Sequence, residues 1–128
     1  MGQPAAKQGD RILATDTHLI QPPGSPSPVP IPHAFNGALD GNLSTTVKFM
    51  GKPAATVGST ATNTPSHVPQ GGSFINPPTN RATVTLGSTT VRIGGKAAAR
   101  NGDTAMTCND PADLPVGKVL ATGTVLIG

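Results

Sequence analysis

Three histidines and one cysteine are the whole stock of imidazole and thiol groups in this 128-residue chain: His18, His33, His67 and Cys108. Three imidazoles and a thiolate make one tetrahedral set, the kind that closes a structural zinc site. The same residue types admit a second chemistry, in which Cys108 and a histidine form a nucleophile pair, or zinc activates water in a small hydrolase. That enzyme reading meets two obstacles. The chain holds no glutamate, so any carboxylate base is one of six aspartates. A catalytic zinc also keeps one coordination position open, whereas four protein ligands fill it.

The four lie 15, 34 and 41 positions apart, which is no compact zinc-finger pattern. Their regularity emerges against an internal repeat, the feature to seek before any other. Residues 45 to 61, "TTVKFMGKPAATVGSTA", and residues 89 to 105, "TTVRIGGKAAARNGDTA", agree at ten of seventeen positions. A third copy is split: "GQPAAKQGD" (residues 2 to 10) lacks a preceding strand, and "TVLIG" (residues 124 to 128) supplies it from the other end of the chain. The two ends are therefore expected side by side. Gly9 and Gly58 each precede a histidine by nine residues, His18 and His67, and Gly102 precedes Cys108 by six. Loops rising similar distances from a three-fold base meet at one apex, where a metal ties them together.

The elements that must hold these loops are strands. Val47 and Phe49, Val91 and Ile93, and Val125 and Ile127 alternate with Lys48, Arg92 and Leu126, a period of two. Three such strands turn six apolar side chains inward as a triangular prism with a dry centre, and the Gly-x-Pro-Ala-Ala turns need tight backbone and small side chains. A generic duplicated barrel or sandwich is the alternative arrangement. Sixteen glycines and fourteen prolines leave no amphipathic helical window. One turn at "DPADLP" is the exception, with Asp110 as cap and Pro111 at the first helical position. The segment "QPPGSPSPVPIPH", six prolines between residues 22 and 32, reads as an extended, polyproline-like wall and not a central strand. Residues 63 to 80 form a second long loop around His67, and zinc supplies the anchor that such loops need. The fold expected is thus all-β: one domain over residues 1–128, a small cone with a three-fold pseudosymmetric base, a loop-rich apex and little or no helix.

Composition narrows the partners. A net charge of +3 and a pI near 9.5 come from nine scattered basic residues, and without Trp or Tyr to stack bases no nucleic-acid partner is expected. No apolar run approaches the roughly 18 residues of a membrane span, and "MGQPAAKQGD" has no secretory h-region, so neither membrane insertion nor general secretory export is expected. A single cysteine forms no internal disulfide.

With "QPAAKQGD", "KPAATVGS" and "KAAARNGD" in hand, the sequence resembles the PAAR-repeat family, named for a Pro-Ala-Ala-Arg motif. No copy carries the motif whole: Lys7 and Thr56 replace the arginine, and Ala97 replaces the proline before Arg100. The resemblance implies a zinc ion near the apex, held by three histidines and a cysteine that only His18, His33, His67 and Cys108 match. It also implies a place at the tip of a contractile injection machine such as type VI secretion, one chain on each trimeric valine-glycine-repeat spike. A chain of this kind is made in the cytoplasm, monomeric when free, loaded on the machine and delivered outside the cell, aiding membrane puncture. Effector cargo, carried non-covalently, and a phage tail-tip role fit the same residues. Contacts with the spike are expected around Met50, Gly94, Leu126 and Gly128.

Overall fold

Successive residues of an extended chain point to opposite sides, so an Ala-Ala step places one methyl group in each of two compartments. That step organises the computed structural model of this chain, which describes residues 2–128. The second alanines, Ala6, Ala55 and Ala99, form a ring about an axis. The Ala6 N–H donates to the Ala99 carbonyl (2.9 Å), Ala99 to Ala55 (3.0 Å) and Ala55 back to Ala6 (3.0 Å). Single bridges complete the cycle, with Ala5 opposite Arg100, Lys7 opposite Ala54 and Thr56 opposite Ala98. Backbones that meet this closely on an axis leave room for a methyl group and little more, which is why the motif is Ala-Ala.

Along the chain run β1 (Gln3–Pro4), β2 (Arg11–Gln21), β3 (Val29–Gly41), β4 (Lys48–Phe49), β5 (Lys52–Pro53), β6 (Thr60–Asn63) and β7 (Ser73–Phe74). They are followed by β8 (Arg81–Val84), β9 (Arg92–Ile93), β10 (Lys96–Ala97), β11 (Thr104–Thr107), β12 (Leu114–Leu120) and β13 (Leu126–Ile127). Below the ring, β4/β5, β9/β10 and β1/β13 are three equivalent antiparallel hairpins. The last joins the two ends of the chain, with Gln3 opposite Ile127. The split third repeat is thereby borne out. The six inward side chains of the expected prism (Val47, Phe49, Val91, Ile93, Val125, Ile127) pack with the first alanines, Ala5, Ala54 and Ala98, as a core of their own. Burying a side chain such as Ile93 or Ile127 contributes roughly 1.5–3 kcal/mol. Lys48, Arg92 and Leu126 face solvent.

Above the ring, β12, β11, β8, β6, β3 and β2 pair in that order, and β2 returns to β12 with Leu13 opposite Lys118, closing an all-antiparallel barrel. The barrel also keeps the three-fold pattern. Gly9, Gly58 and Gly102, all with φ near +90°, send their N–H groups to the carbonyls of Leu39, Val84 and Val119. Those residues join Ile12, Phe35 and the ring alanines in the upper core.

The motif's fourth position is explained by its partner three residues on. The backbone N–H of Lys7, Thr56 and Arg100 is held by Asp10 Oδ2 (3.0 Å), Ser59 Oγ (2.9 Å) and Asp103 Oδ2 (2.7 Å). Where that partner is an aspartate, the fourth position is a cation in contact with it, at 3.2 Å for Lys7–Asp10 and 2.9 Å for Arg100–Asp103. Where it is Ser59, the position is neutral Thr56. Degeneracy of the motif is thus local charge balance.

Two expectations are corrected. There is no helix among the described residues, and the "DPADLP" turn is not one: the Asp110 carboxylate accepts from the Leu19 N–H (2.8 Å) while its own N–H donates to Thr17 (2.9 Å), so the cap is spent tying this loop to β2. The proline-rich wall is a β-strand from Val29 on, where β3 pairs with β2 up to Ile20 opposite Val29, and residues 22–28 are the turns and bends that connect β2 to it. The second flank of β3 meets β6 only from Gly37 to Gly41, so Pro30 and Pro32 sit on an open edge where a missing N–H is harmless.

Ala55→Leu, an insertion beside the axis at a fully buried position, is expected to destabilise the fold by about 1–3 kcal/mol or more, read as a lowered urea midpoint. An unchanged midpoint would mean that the axis is not close-packed.

Candidate metal centre

Strand alternation delivers the apex. On β2 the inward positions include Asp16 and His18, and on β3 His33 and Phe35. The loop after β6 brings His67, and the residue following β11 is Cys108. Asp16, His18, His33 and Cys108 are 0%, 1%, 5% and 2% exposed, and the His67 side chain is as covered as they are. The three imidazoles stand face to edge, with ring centroids 5.0 Å (His18–His67), 5.4 Å (His18–His33) and 5.5 Å (His33–His67) apart. Phe74 of β7 lies against His18 and His33 and closes one side, while Phe35 meets His67 from below. Of the expected ligands, His18, His67 and Cys108 bring donor atoms within 4.8 Å of one another, whereas the His33 ring lies beside them and is not part of that group of donor atoms.

The hydrogen bonds define what each nitrogen offers. His33 Nδ1 lies 2.9 Å from the Ile31 carbonyl, which can only accept, so Nδ1 carries the proton and Nε2 keeps its lone pair. That Nε2 is buried without a hydrogen-bond partner, as is His18 Nδ1, which lies 3.5 Å from Asp110 Oδ2. His18 Nε2 faces Cys108 Sγ at 3.8 Å. A buried lone pair left without a donor, as on His33 Nε2, is unusual in folded proteins, and imidazole nitrogens together with a thiol are what a soft divalent cation takes up.

Asp16 is the residue that sequence reasoning missed. Its carboxylate touches His67 Nε2 (2.8 Å) and Cys108 Sγ (3.4 Å), and accepts from Thr107 Oγ1 and Asn109 Nδ2 (3.4 Å). One donor atom from each of Asp16, His18, His67 and Cys108 falls within 4.8 Å of the others. Asp16 precedes His18 by two, the period of a strand, so the two share a face of β2, and only the barrel shows that this face is the inward one.

Burial, then the neighbouring His67, holds the His18 pKa below its ordinary 6.5, so the imidazole stays neutral, the form that binds metal. Burial, then Asp16, pushes the Cys108 thiol up to about 11, against an opposing pull from the backbone of Asn80 and Arg81. A buried thiol with a raised pKa is an inert one, which argues against a Cys/His nucleophile pair. Bound to a divalent cation it would be deprotonated outright.

The residues expected to meet a partner lie at the opposite end, on the base. Met50 and Gly94 occupy the same place in the β4/β5 and β9/β10 turns, both with positive φ (54° and 59°), and Gly128 directly follows the equivalent strand. Met50 and Leu126 are 56% and 59% exposed.

Comparison with known families matches the PAAR motif model over residues 36–111, the span that contains the two unbroken copies, residues 45–61 and 89–105, together with His67 and Cys108. The match covers 76 of 128 residues (111 − 36 + 1), and the chain belongs to the PAAR motif family. A search of curated proteins gave no match.

For the metal-free protein, these two groups bound a stability plateau. As pH falls through 6.5 the unfolded chain takes up a proton that folded His18 resists, and as pH rises past 9.0 the unfolded chain releases a proton that folded Cys108 keeps. Urea midpoints are expected to fall on both sides of that window, and added zinc to abolish the alkaline decline. A midpoint flat from pH 5 to pH 10 would contradict the burial of both groups.

Proposed function

We propose that this chain is a zinc-holding tip that caps and sharpens the trimeric valine-glycine-repeat spike of a contractile injection machine, type VI secretion or a relative. One chain serves each trimer, and the tip is a monomer until it is loaded. The observation that supports this most is the closed three-fold ring with three equivalent hairpins beneath it, in a member of the PAAR motif family. A trimeric β-structure ends in unpaired strand edges and an exposed apolar cross-section, both of which need covering. One chain with three near-equal sides matches that symmetry and still narrows to a single point.

At the narrow end too few residues remain to bury a core, and a metal cross-link substitutes for packing. Zinc suits the donors gathered there, two or three imidazoles and a thiolate, and when bound it would supply roughly 10–16 kcal/mol of apparent binding energy to the fold. The role is mechanical rather than catalytic, in keeping with a structural family and an inert thiol. A tip of this kind is delivered outside the cell or into a target cell, aids membrane puncture, and is free to bring effector cargo with it. It engages neither nucleic acid nor the bilayer as a stable partner.

The base makes the testable contact. Leu126→Asp combined with Met50→Asp, both exposed in the free chain, is expected to abolish co-elution with a trimeric valine-glycine-repeat spike while leaving fold and metal content unchanged. Leu114→Asp, on the outer wall, is expected to leave binding intact. Retained binding by the base variant would refute this docking face.

A further inference from the structure

The fold gathers charges that the sequence scatters. Register fixes two equivalent positions on each base hairpin: Lys48 opposite Pro53, Arg92 opposite Ala97 and Leu126 opposite Pro4 form one set. Lys52 opposite Phe49, Lys96 opposite Ile93 and Gln3 opposite Ile127 form the other. Lys48, Arg92, Leu126, Lys52, Lys96 and Gln3 are all exposed. Two hairpins therefore carry a cation at both positions, and the third carries none.

The rest of the chain offers these cations no anion. The six aspartates are Asp10, Asp16, Asp40, Asp103, Asp110 and Asp113, and none lies on a base hairpin. Asp10 and Asp103 are taken by Lys7 and Arg100, and among the described residues no carboxylate pairs with Lys48, Lys52, Arg92 or Lys96. Arg92 Nη1 donates instead to the Gly95 carbonyl of its own turn (3.3 Å). The four hairpin cations hold a side-chain charge of +4, while the other five basic residues set against six aspartates leave −1, which together make the net +3. The cone is thus cationic at its base and close to neutral elsewhere.

Charge of one sign without a partner in the chain adds nothing to the fold, because like charges repel. It acts outward, steering an oppositely charged surface into contact. Met50 and Leu126 are exposed on the same hairpins, and methionine beside arginine is a mixture that protein interfaces favour. No Trp or Tyr is available to stack bases beside the cations.

We propose that the base docks on a carboxylate-bearing protein surface, held by charge at the hairpins of Lys48/Lys52 and Arg92/Lys96 and by neutral contact at the hairpin of Leu126 and Gln3. This rests on the spike-tip reading above and gives that partner its chemistry: the end of the trimer beneath the tip presents acidic side chains. A three-fold partner repeats those acids three times, and the tip answers them on two sides of three.

Surface plasmon resonance of the full, metal-replete chain over an immobilised trimeric valine-glycine-repeat spike tests this. The association rate is expected to fall at least about tenfold between about 30 mM and about 300 mM salt. Gln3→Lys, which gives the third hairpin the cation of the other two, is expected to tighten binding by about two- to fivefold, and Gln3→Glu to weaken it by about the same factor. Lys48→Glu combined with Arg92→Glu is expected to weaken it by more than about tenfold. Urea midpoints of these exposed-site variants check that the fold is kept. Binding that ignores salt, with both Gln3 variants shifting the same way or not at all, overturns the acidic partner and leaves spike docking standing. A wild-type chain that binds no spike at low salt refutes the docking reading, and this inference with it. Binding to duplex DNA or phosphatidylserine vesicles that the Lys48/Arg92 double variant loses, while its spike binding is unchanged, would assign the cations to another anion and overturn the proposal.

Discussion

Three backbone hydrogen bonds, passed around Ala6, Ala99 and Ala55, are the constraint on which the rest of the molecule depends. Each satisfies a buried amide that has no strand partner of its own, and each requires three segments of the chain to meet on an axis. Closeness there forbids any side chain larger than a methyl group. It also divides the interior in two, a prism of valines and isoleucines below and a barrel core of Ile12, Phe35 and Leu39 above. A single chain obeys this three-fold rule only by repeating itself, and because the third copy is split, its two ends are joined as the third hairpin.

At the other extreme the constraint is scarcity. Residues 29–36 of β3 and the long loop around His67 run past the region where the barrel can cover both flanks, and what they enclose is polar: three imidazoles, a thiol, and a carboxylate with no exposure at all. Polar groups so buried cost several kcal/mol each unless partnered. Asn63, Asn80, Asn109 and Thr107 meet part of that demand, but the lone pair of His33 Nε2 has no donor. A cation at this point would serve as both partner and cross-link, which is why the two ends of the molecule belong to one account: symmetry closes the base, and donor chemistry closes the tip.

Much of this was legible in the residues. Ten identities in seventeen positions gave the repeat, the split copy gave the meeting of the ends, and period-two alternation gave the prism down to its six side chains. Distances of nine, nine and six residues from the repeat glycines pointed to His18, His67 and Cys108 meeting near one height. Two features were hidden for physical reasons. Asp16 reads as an ordinary strand aspartate until barrel closure shows which face of β2 is inward, and the pairing of Lys7 with Asp10 and Thr56 with Ser59 becomes visible only when the turn brings each pair together. Prolines misled in one respect, since an open-edge strand tolerates Pro30 and Pro32 as readily as a polyproline helix does. Asp110 misled in another: a cap residue followed by proline fits a loop anchored to a neighbouring strand as well as it fits a helix start.

The most direct test of the account is native mass spectrometry of the untagged chain bound to its trimeric spike, with the chain added in excess. The expected mass is that of three spike subunits, one copy of this chain and one zinc ion. Three copies per trimer, or no complex with metal-replete protein, would contradict the claim that the internal three-fold repeat exists to cap a three-fold partner.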